Sequence, residues 1–144
     1  MNTRFESFVG VIYALNKEIQ RIKANRMREF GLRGMDTMVM YFLGEHAEGL
    51  TRAELARLSR CDRAAITRIT EKLTSQGLIS AQEGAGANYR TRIVLTPAGM
   101  RCAQDMEAVI SCVVEEASKD ISEAERAHMY ETLGKILEQL EQLD

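Results

Sequence analysis

Between residues 63 and 72 the sequence reads RAAITRITEK. Wound as a helix with Ile66, Ile69 and then Leu73 inward, this stretch turns Arg63, Ala64, Thr67, Arg68 and Lys72 toward the other side. Those side chains suit the edge of a base pair. The Arg68 guanidinium can fork onto guanine, a contact worth about 1–3 kcal/mol of discrimination. Thr67 can touch a thymine methyl or donate a hydrogen bond, and Ala64 and Ala65 keep the face slim enough for close approach. On an isolated helix the same pattern would be an ordinary solvated basic face, so the flanking elements decide between the two. A second kind of chemistry is offered by Cys61, which stands beside Arg60 and Arg63 at the start of this helix. Cations and a helix N-terminus lower a thiol's pKa, which would make Cys61 a redox switch.

The elements that hold these residues are legible in the stretch Leu50 to Ile79. Thr51 and Glu54 have capping-box spacing, and Leu55 and Leu58 give the short helix that follows one apolar side. Ser59, Arg60 and Cys61 interrupt it. Asp62 can cap the second helix, and Gly77 ends it. Two short helices with a tight turn form a helix-turn-helix. Residues 78–82 then read as a strand, 84–88 (GAGAN) as a flexible tip, and Arg90 to Leu95 as the return strand. Thr96 and Pro97 open another helix as cap and first residue. A helix-turn-helix followed by such a hairpin is a winged helix. A wing cation, Arg90 or Arg92, can enter the narrow minor groove.

With these residues in place the chain resembles the MarR family of transcriptional regulators over nearly its whole length. The matching stretches are LTRAELARLSRCDRAAITRITEKLTSQGLI and NYRTRIVLTPAG. The family's wing reads Asp-x-Arg, five residues, then Leu-Thr-x-x-Gly. Here Leu95-Thr96-Pro97-Ala98-Gly99 matches the end. Asn88-Tyr89-Arg90 matches the start, with Asn for Asp and one residue fewer before Leu95. Asn88 can brace the wing only through neutral hydrogen bonds. The resemblance implies a two-fold dimer binding a pseudo-palindromic operator, with half-sites about 34–36 Å apart or a multiple of that. It also implies a small, often aromatic or anionic effector between the dimerisation helices and the reading head. Tyr13 and Arg21 of the first helix and Met38, Tyr41 and Phe42 of the second are its candidate residues. Family members that sense peroxide through one cysteine carry it near the N-terminus, where this chain has none.

Charge is distributed in keeping with this reading. The net charge is −2, but residues 51–101 hold nine Lys/Arg against four Asp/Glu, while residues 102–144 hold three against eleven. The basic charge lies on the reading head and the acidic charge on the tail, which orients the approach to a polyanion. Thr51, Arg52 and Lys72 are expected to position phosphates.

The first helix is expected over residues 3–30, with Phe5, Phe8, Ile12, Leu15, Ile19, Ile22 and Arg26 stepping by three and four as a seam. The second is expected over 35–46, its apolar part Met38, Val39, Tyr41, Phe42 and Leu43. A fifth is expected over 96–119, buried through Met100, Ala103, Met106, Val109, Ile110, Val113 and Val114, with Cys102 and Cys112 as small core residues. The sixth, opened by a Ser122–Glu125 capping box, carries Met129, Leu133, Ile136, Leu140 and Leu143. Phe5, Phe8 and Ile12 with those last five are the expected dimer interface. The expected fold class is mostly α with a small β-wing. Residues 1–34 and 100–144 form a helical dimerisation region from both chain termini, and 35–99 a winged helix-turn-helix.

An enzyme is not expected. The sequence has no G-x-S-x-G, phosphate-binding glycine loop, H-E-x-x-H or C-x-x-C, and His46 and His128 are its only histidines. No cofactor or metal is expected. Three scattered cysteines, no membrane-length apolar run and no signal-peptide pattern point to the cytoplasm. The expected function is a homodimeric, sequence-specific DNA-binding regulator, a repressor released by a small effector. The alternatives are a regulator switched by oxidation at Cys61 and a winged helix that docks protein and has no operator.

Overall fold

The computed structural model describes residues 3–83 and 90–143, with the backbone alone at Phe5. The expected glycine tip, Asn88 and Tyr89, and the side chain of Phe5 lie outside the described residues. Helix α1 covers residues 3–27 as three joined segments, Thr3–Phe5, a π-helical turn Glu6–Gly10, and Val11–Met27. A 3-10 turn, Arg28–Phe30, continues it. Then come α2 Asp36–Glu45, α3 Arg52–Ser59, α4 Arg63–Ser75, β1 Ile79–Gln82, β2 Arg92–Leu95, α5 Pro97–Ala117 and α6 Glu123–Glu141. The chain forms two compact units, residues 1–109 and 110–144.

In the first unit the buried apolar side chains come from every element. Met27 ends α1; Val39, Met40 and Leu43 come from α2, Leu55 from α3, and Ile66 and Leu73 from α4. Ile79 and Ile93 come from the two strands and Met106 from α5. Met40, absent from the expected apolar set of α2, is fully buried, whereas Tyr41 is exposed and Met38 and Phe42 are half-buried. Six apolar residues in the seven from Met38 to Gly44 surround the helix, so periodicity alone cannot choose the inner face.

Helices α1, α3 and α4 leave by the same route. In each, two successive amides return to carbonyls of the last turn: Gly31 and Leu32 to Arg28 and Met27, Arg60 and Cys61 to Arg57 and Ala56, Gly77 and Leu78 to Thr74 and Leu73. The first residue of each pair is left-handed. At Arg60 that conformation is held by a side-chain-bearing residue, at φ 55°.

The wing hairpin is antiparallel, pairing Ile79 with Leu95 and Gln82 with Arg92. Leu50 adds two hydrogen bonds to Ile93, 3.0 Å from its own amide and 2.8 Å to its own carbonyl. Gly49 makes this closure sterically feasible: a Cβ there would lie 2.8 Å from the Ile93 carbonyl oxygen.

The Leu95-Thr96-Pro97-Ala98-Gly99 stretch works as a joint. The Thr96 amide donates to the Leu78 carbonyl at 3.0 Å. The Thr96 hydroxyl donates to the Gly77 carbonyl at 2.6 Å and accepts from the Gly99 amide at 3.0 Å. The first turn of α5 sits so close that a Cβ on Gly99 would come 1.9 Å from the Leu78 oxygen.

Gly99 and Met106, two turns apart, set the buried line of α5. Ala103, Val109, Ile110 and Val113 are half-buried, as expected in part, whereas Met100 and Val114 are exposed. Cys112 is exposed and Cys102 half-buried, so neither is the core residue expected. In the second unit the Ser122 hydroxyl accepts from the Glu125 amide at 3.1 Å, which is the hydroxyl half of the expected box. No helix among the described residues is long and apolar enough to cross a membrane.

Candidate nucleic-acid interface

The site is built on two helix starts. Thr51 accepts the Glu54 amide at 3.1 Å, and the Glu54 carboxylate accepts the Thr51 amide at 3.0 Å, so the expected capping box is complete. Asp62 accepts the Ala65 amide at 2.7 Å and starts α4. Ile66 and Leu73 are fully buried and Ile69 half-buried. Thr70 is also buried, its hydroxyl donating to the Ile66 carbonyl. That inner face turns Arg63, Ala64, Thr67 and Arg68 to the surface, as expected. One detail of Thr67 changes. Its hydroxyl donates to the Arg63 carbonyl at 2.9 Å, so it has no proton left to donate to a base.

Beside this face lies an open cleft of about 410 Å³ lined by Thr51, Arg52, Ala53, Arg63, Arg90 and Thr91. Three segments meet there: the start of α3, the start of α4 and the return of the wing. Three guanidinium-bearing residues line one concavity with two threonines, and the start of α3 adds the positive end of its helix dipole. The cleft has the charge and the donors for a phosphate diester. It joins Arg52, Arg63 and Arg90, which the sequence reading had assigned to three separate tasks. Thr91 and Ala53 were not singled out, because only the fold brings residues 51–53 and 90–91 together.

Two expected DNA contacts are engaged elsewhere. Arg92 turns back onto the helix-turn-helix: its Nη1 donates to the Gly49 carbonyl at 3.0 Å and lies 3.7 Å from the Glu54 carboxylate. Lys72 is ion-paired with the carboxylate of Asp36, whose side chain is 6% exposed. Asp36 also accepts the Arg33 amide at 3.0 Å. Lys72 therefore ties α4 to α2 on the inner side of the head. Burial pushes the nearby Lys23 below the ordinary lysine range, and Asp36 partly offsets that.

The expectation for Cys61 reverses in sign. Burial, followed by the neighbouring Asp62 carboxylate, raises its thiol above the ordinary range. The cations beside it in sequence do not prevail, and a thiol held protonated is a poor nucleophile. Of the effector candidates, Tyr41 and Phe42 meet edge to face with ring centres 5.5 Å apart. Tyr13 is exposed, and Arg21 is exposed and bonded to Glu18. Of the expected interface residues, Phe8, Ile12, Met129, Leu133, Leu140 and Leu143 are exposed in the single chain and Ile136 is half-buried.

The fold has counterparts among solved structures. The chain matches the transcriptional regulator PA3341 at 28% identity and a TM-score of 0.82, over 94% of this chain and all of that one. The chain has the MarR-family fold. MarR-type regulators of known structure align with it over more than nine-tenths of its length. The MepR–DNA complex of S. aureus gives a TM-score of 0.86 at 18% identity, over 97% of this chain and 99% of that one. The transcriptional regulator SlyA gives 0.81 at 20%, over 92% of each chain. No protein-family sequence model matches the chain, and no curated protein matches it in sequence. These three solved proteins are transcription regulators.

Proposed function

We propose that this MarR-type chain is a sequence-specific DNA-binding transcriptional regulator. The observation that carries the reading is the cleft of Arg52, Arg63 and Arg90, adjoining the exposed Arg63, Ala64, Thr67 and Arg68 face of α4. A phosphate in the cleft fixes the register, and the α4 face reads bases in the major groove. Arg90 serves at the wing. MepR, which shares the fold, is known in complex with DNA. A protein-docking head would carry exposed apolar anchors at this face, and here it carries arginines.

The chain works in the cytoplasm as a homodimer on a pseudo-palindromic operator. The exposed apolar positions of α1 (Phe8, Ile12, Leu15 and Ile19) and of α6 (Met129, Leu133, Leu140 and Leu143) support this, since stripes of this size are seldom left to water. It acts as a repressor, released by a small aromatic or anionic effector at Tyr13, Arg21, Met38, Tyr41 and Phe42. The half-open Tyr41–Phe42 pair is the feature that supports this site.

The test is selection of duplexes from a random library, with affinity for the best sequence measured at two salt concentrations. A palindromic winner with steep salt dependence is expected. Arg68→Ala should relax sequence choice at one base pair per half-site, and Arg90→Ala should lower the salt slope by about one per protomer. No enriched sequence, or binding indifferent to salt, would overturn the reading.

A further inference from the structure

We infer that Arg92 is a positioning residue, a strap that fastens the return strand of the wing to the start of α3 and so holds Arg90 at the arginine cleft. The inference rests on the DNA reading for its consequence, although the strap itself does not.

Strand β2 meets the segment before α3 at adjacent residues. Ile93 and Leu50 exchange two backbone hydrogen bonds, and next to them the Arg92 guanidinium donates to the Gly49 carbonyl. The same guanidinium lies 3.7 Å from the carboxylate of Glu54, which accepts the amide of Thr51. Gly49 keeps the gap narrow, since a Cβ there would lie 3.2 Å from Cβ of Arg92. Arg92 and Arg90 serve the same end of α3, one bonding to its lead-in and lying beside its capping carboxylate, the other lining the cleft with Thr51 and Arg52. A guanidinium committed to a carbonyl and a carboxylate is not presented to a phosphate. Its effect on DNA runs through where it leaves Arg90.

The test compares Arg90→Ala, Arg92→Ala, their double variant and Glu54→Gln on the selected operator across a salt series. Glutamine keeps the cap, because its side-chain oxygen still accepts the Thr51 amide, and removes the charge beside Arg92. Arg92→Ala should weaken binding about fivefold to tenfold alone and less than about twofold in the Arg90→Ala background, the non-additivity of groups acting as one unit. The double variant should lower the salt slope by about one per protomer, not two.

Glu54→Gln should also weaken binding. If Arg92 itself touched DNA, removing the competing carboxylate would leave binding unchanged or strengthen it. Additive losses, a slope change of about two, or unchanged or tighter binding by Glu54→Gln would each overturn the inference. Hydrogen exchange over residues 90–95 without DNA is the independent arm. It should be about tenfold faster or more in Arg92→Ala than in the parent protein, the sign of a local opening made easier. Unchanged exchange overturns the strap. If no duplex is selected, the DNA reading fails, and exchange alone decides whether the strap exists.

Discussion

Replacing Gly99 by alanine should unseat the junction between α4, the wing and α5. The new Cβ would sit 1.9 Å from the Leu78 oxygen and 2.9 Å from its carbon. Even a close C···O contact needs about 3.3 Å, so the two backbones must part by about 1.4 Å. Overpacking of this kind costs about 1–3 kcal/mol. The movement also strains the 3.0 Å bond from the Thr96 amide to the Leu78 oxygen, a loss of about 1 kcal/mol. Alanine's better helix propensity returns less than about 1 kcal/mol. The net expectation is a loss of about 2–3 kcal/mol, or roughly 8–12 °C in Tm at about 4 °C per kcal/mol. The comparator is Gly44→Ala in the same unit, where a Cβ meets nothing nearer than 3.8 Å and should be neutral or mildly stabilising. Thermal melts followed by circular dichroism, at one fixed protein concentration, check both. A Gly99→Ala protein melting within about 2 °C of the parent would refute the steric reasoning.

Three further outcomes are expected. Lys72→Met leaves the buried Asp36 carboxylate without its ion pair and should cost about 3 kcal/mol, with most of the loss recovered in the Asp36→Asn/Lys72→Met protein; urea titration reads both. In a Cys102→Ser/Cys112→Ser background, Cys61 should alkylate more slowly at pH 7 than a free thiol. Because its pKa is raised, its rate should keep climbing with pH past the ordinary thiol range, and a plateau below that range would contradict the burial argument. Leu133→Asp and Ile12→Asp should each weaken self-association at least tenfold by sedimentation, and an unaffected dimer would remove α6 or α1 from the interface.

Local chemistry was legible in the sequence wherever cause and effect lie within a few residues. The Thr51–Glu54 box, the Asp62 cap, the Thr96 cap and the Gly77 exit all form between neighbours. So does the outward face of α4, because Ile66 and Leu73 fix its phase. Legibility ended where a side chain answers to a distant partner. Arg92 reads as a wing cation until its bond to Gly49, 43 residues away, is seen. Lys72 reads as a surface cation until Asp36 appears beside it. Cys61 went wrong in sign because Arg60 and Arg63 were weighed without burial and the adjacent Asp62, which dominate its surroundings. In α5 the periodicity and most of the face were right, since Ala103, Met106, Val109, Ile110 and Val113 are buried or half-buried; what was missed is Gly99, a residue with no side chain that packs closest.

The joint at Leu78 has a mechanical consequence. Its amide closes the end of α4, its carbonyl receives the Thr96 amide, and its neighbour Gly77 receives the Thr96 hydroxyl. The end of α4, the base of the wing and the first turn of α5 are therefore clasped at one residue, with Gly99 removing the slack that a side chain would need. The first turn of α5 cannot shift far from the end of α4 without breaking these bonds, so a displacement imposed on one is shared by the other, and a ligand that moves α5 has no need to touch α4 at all.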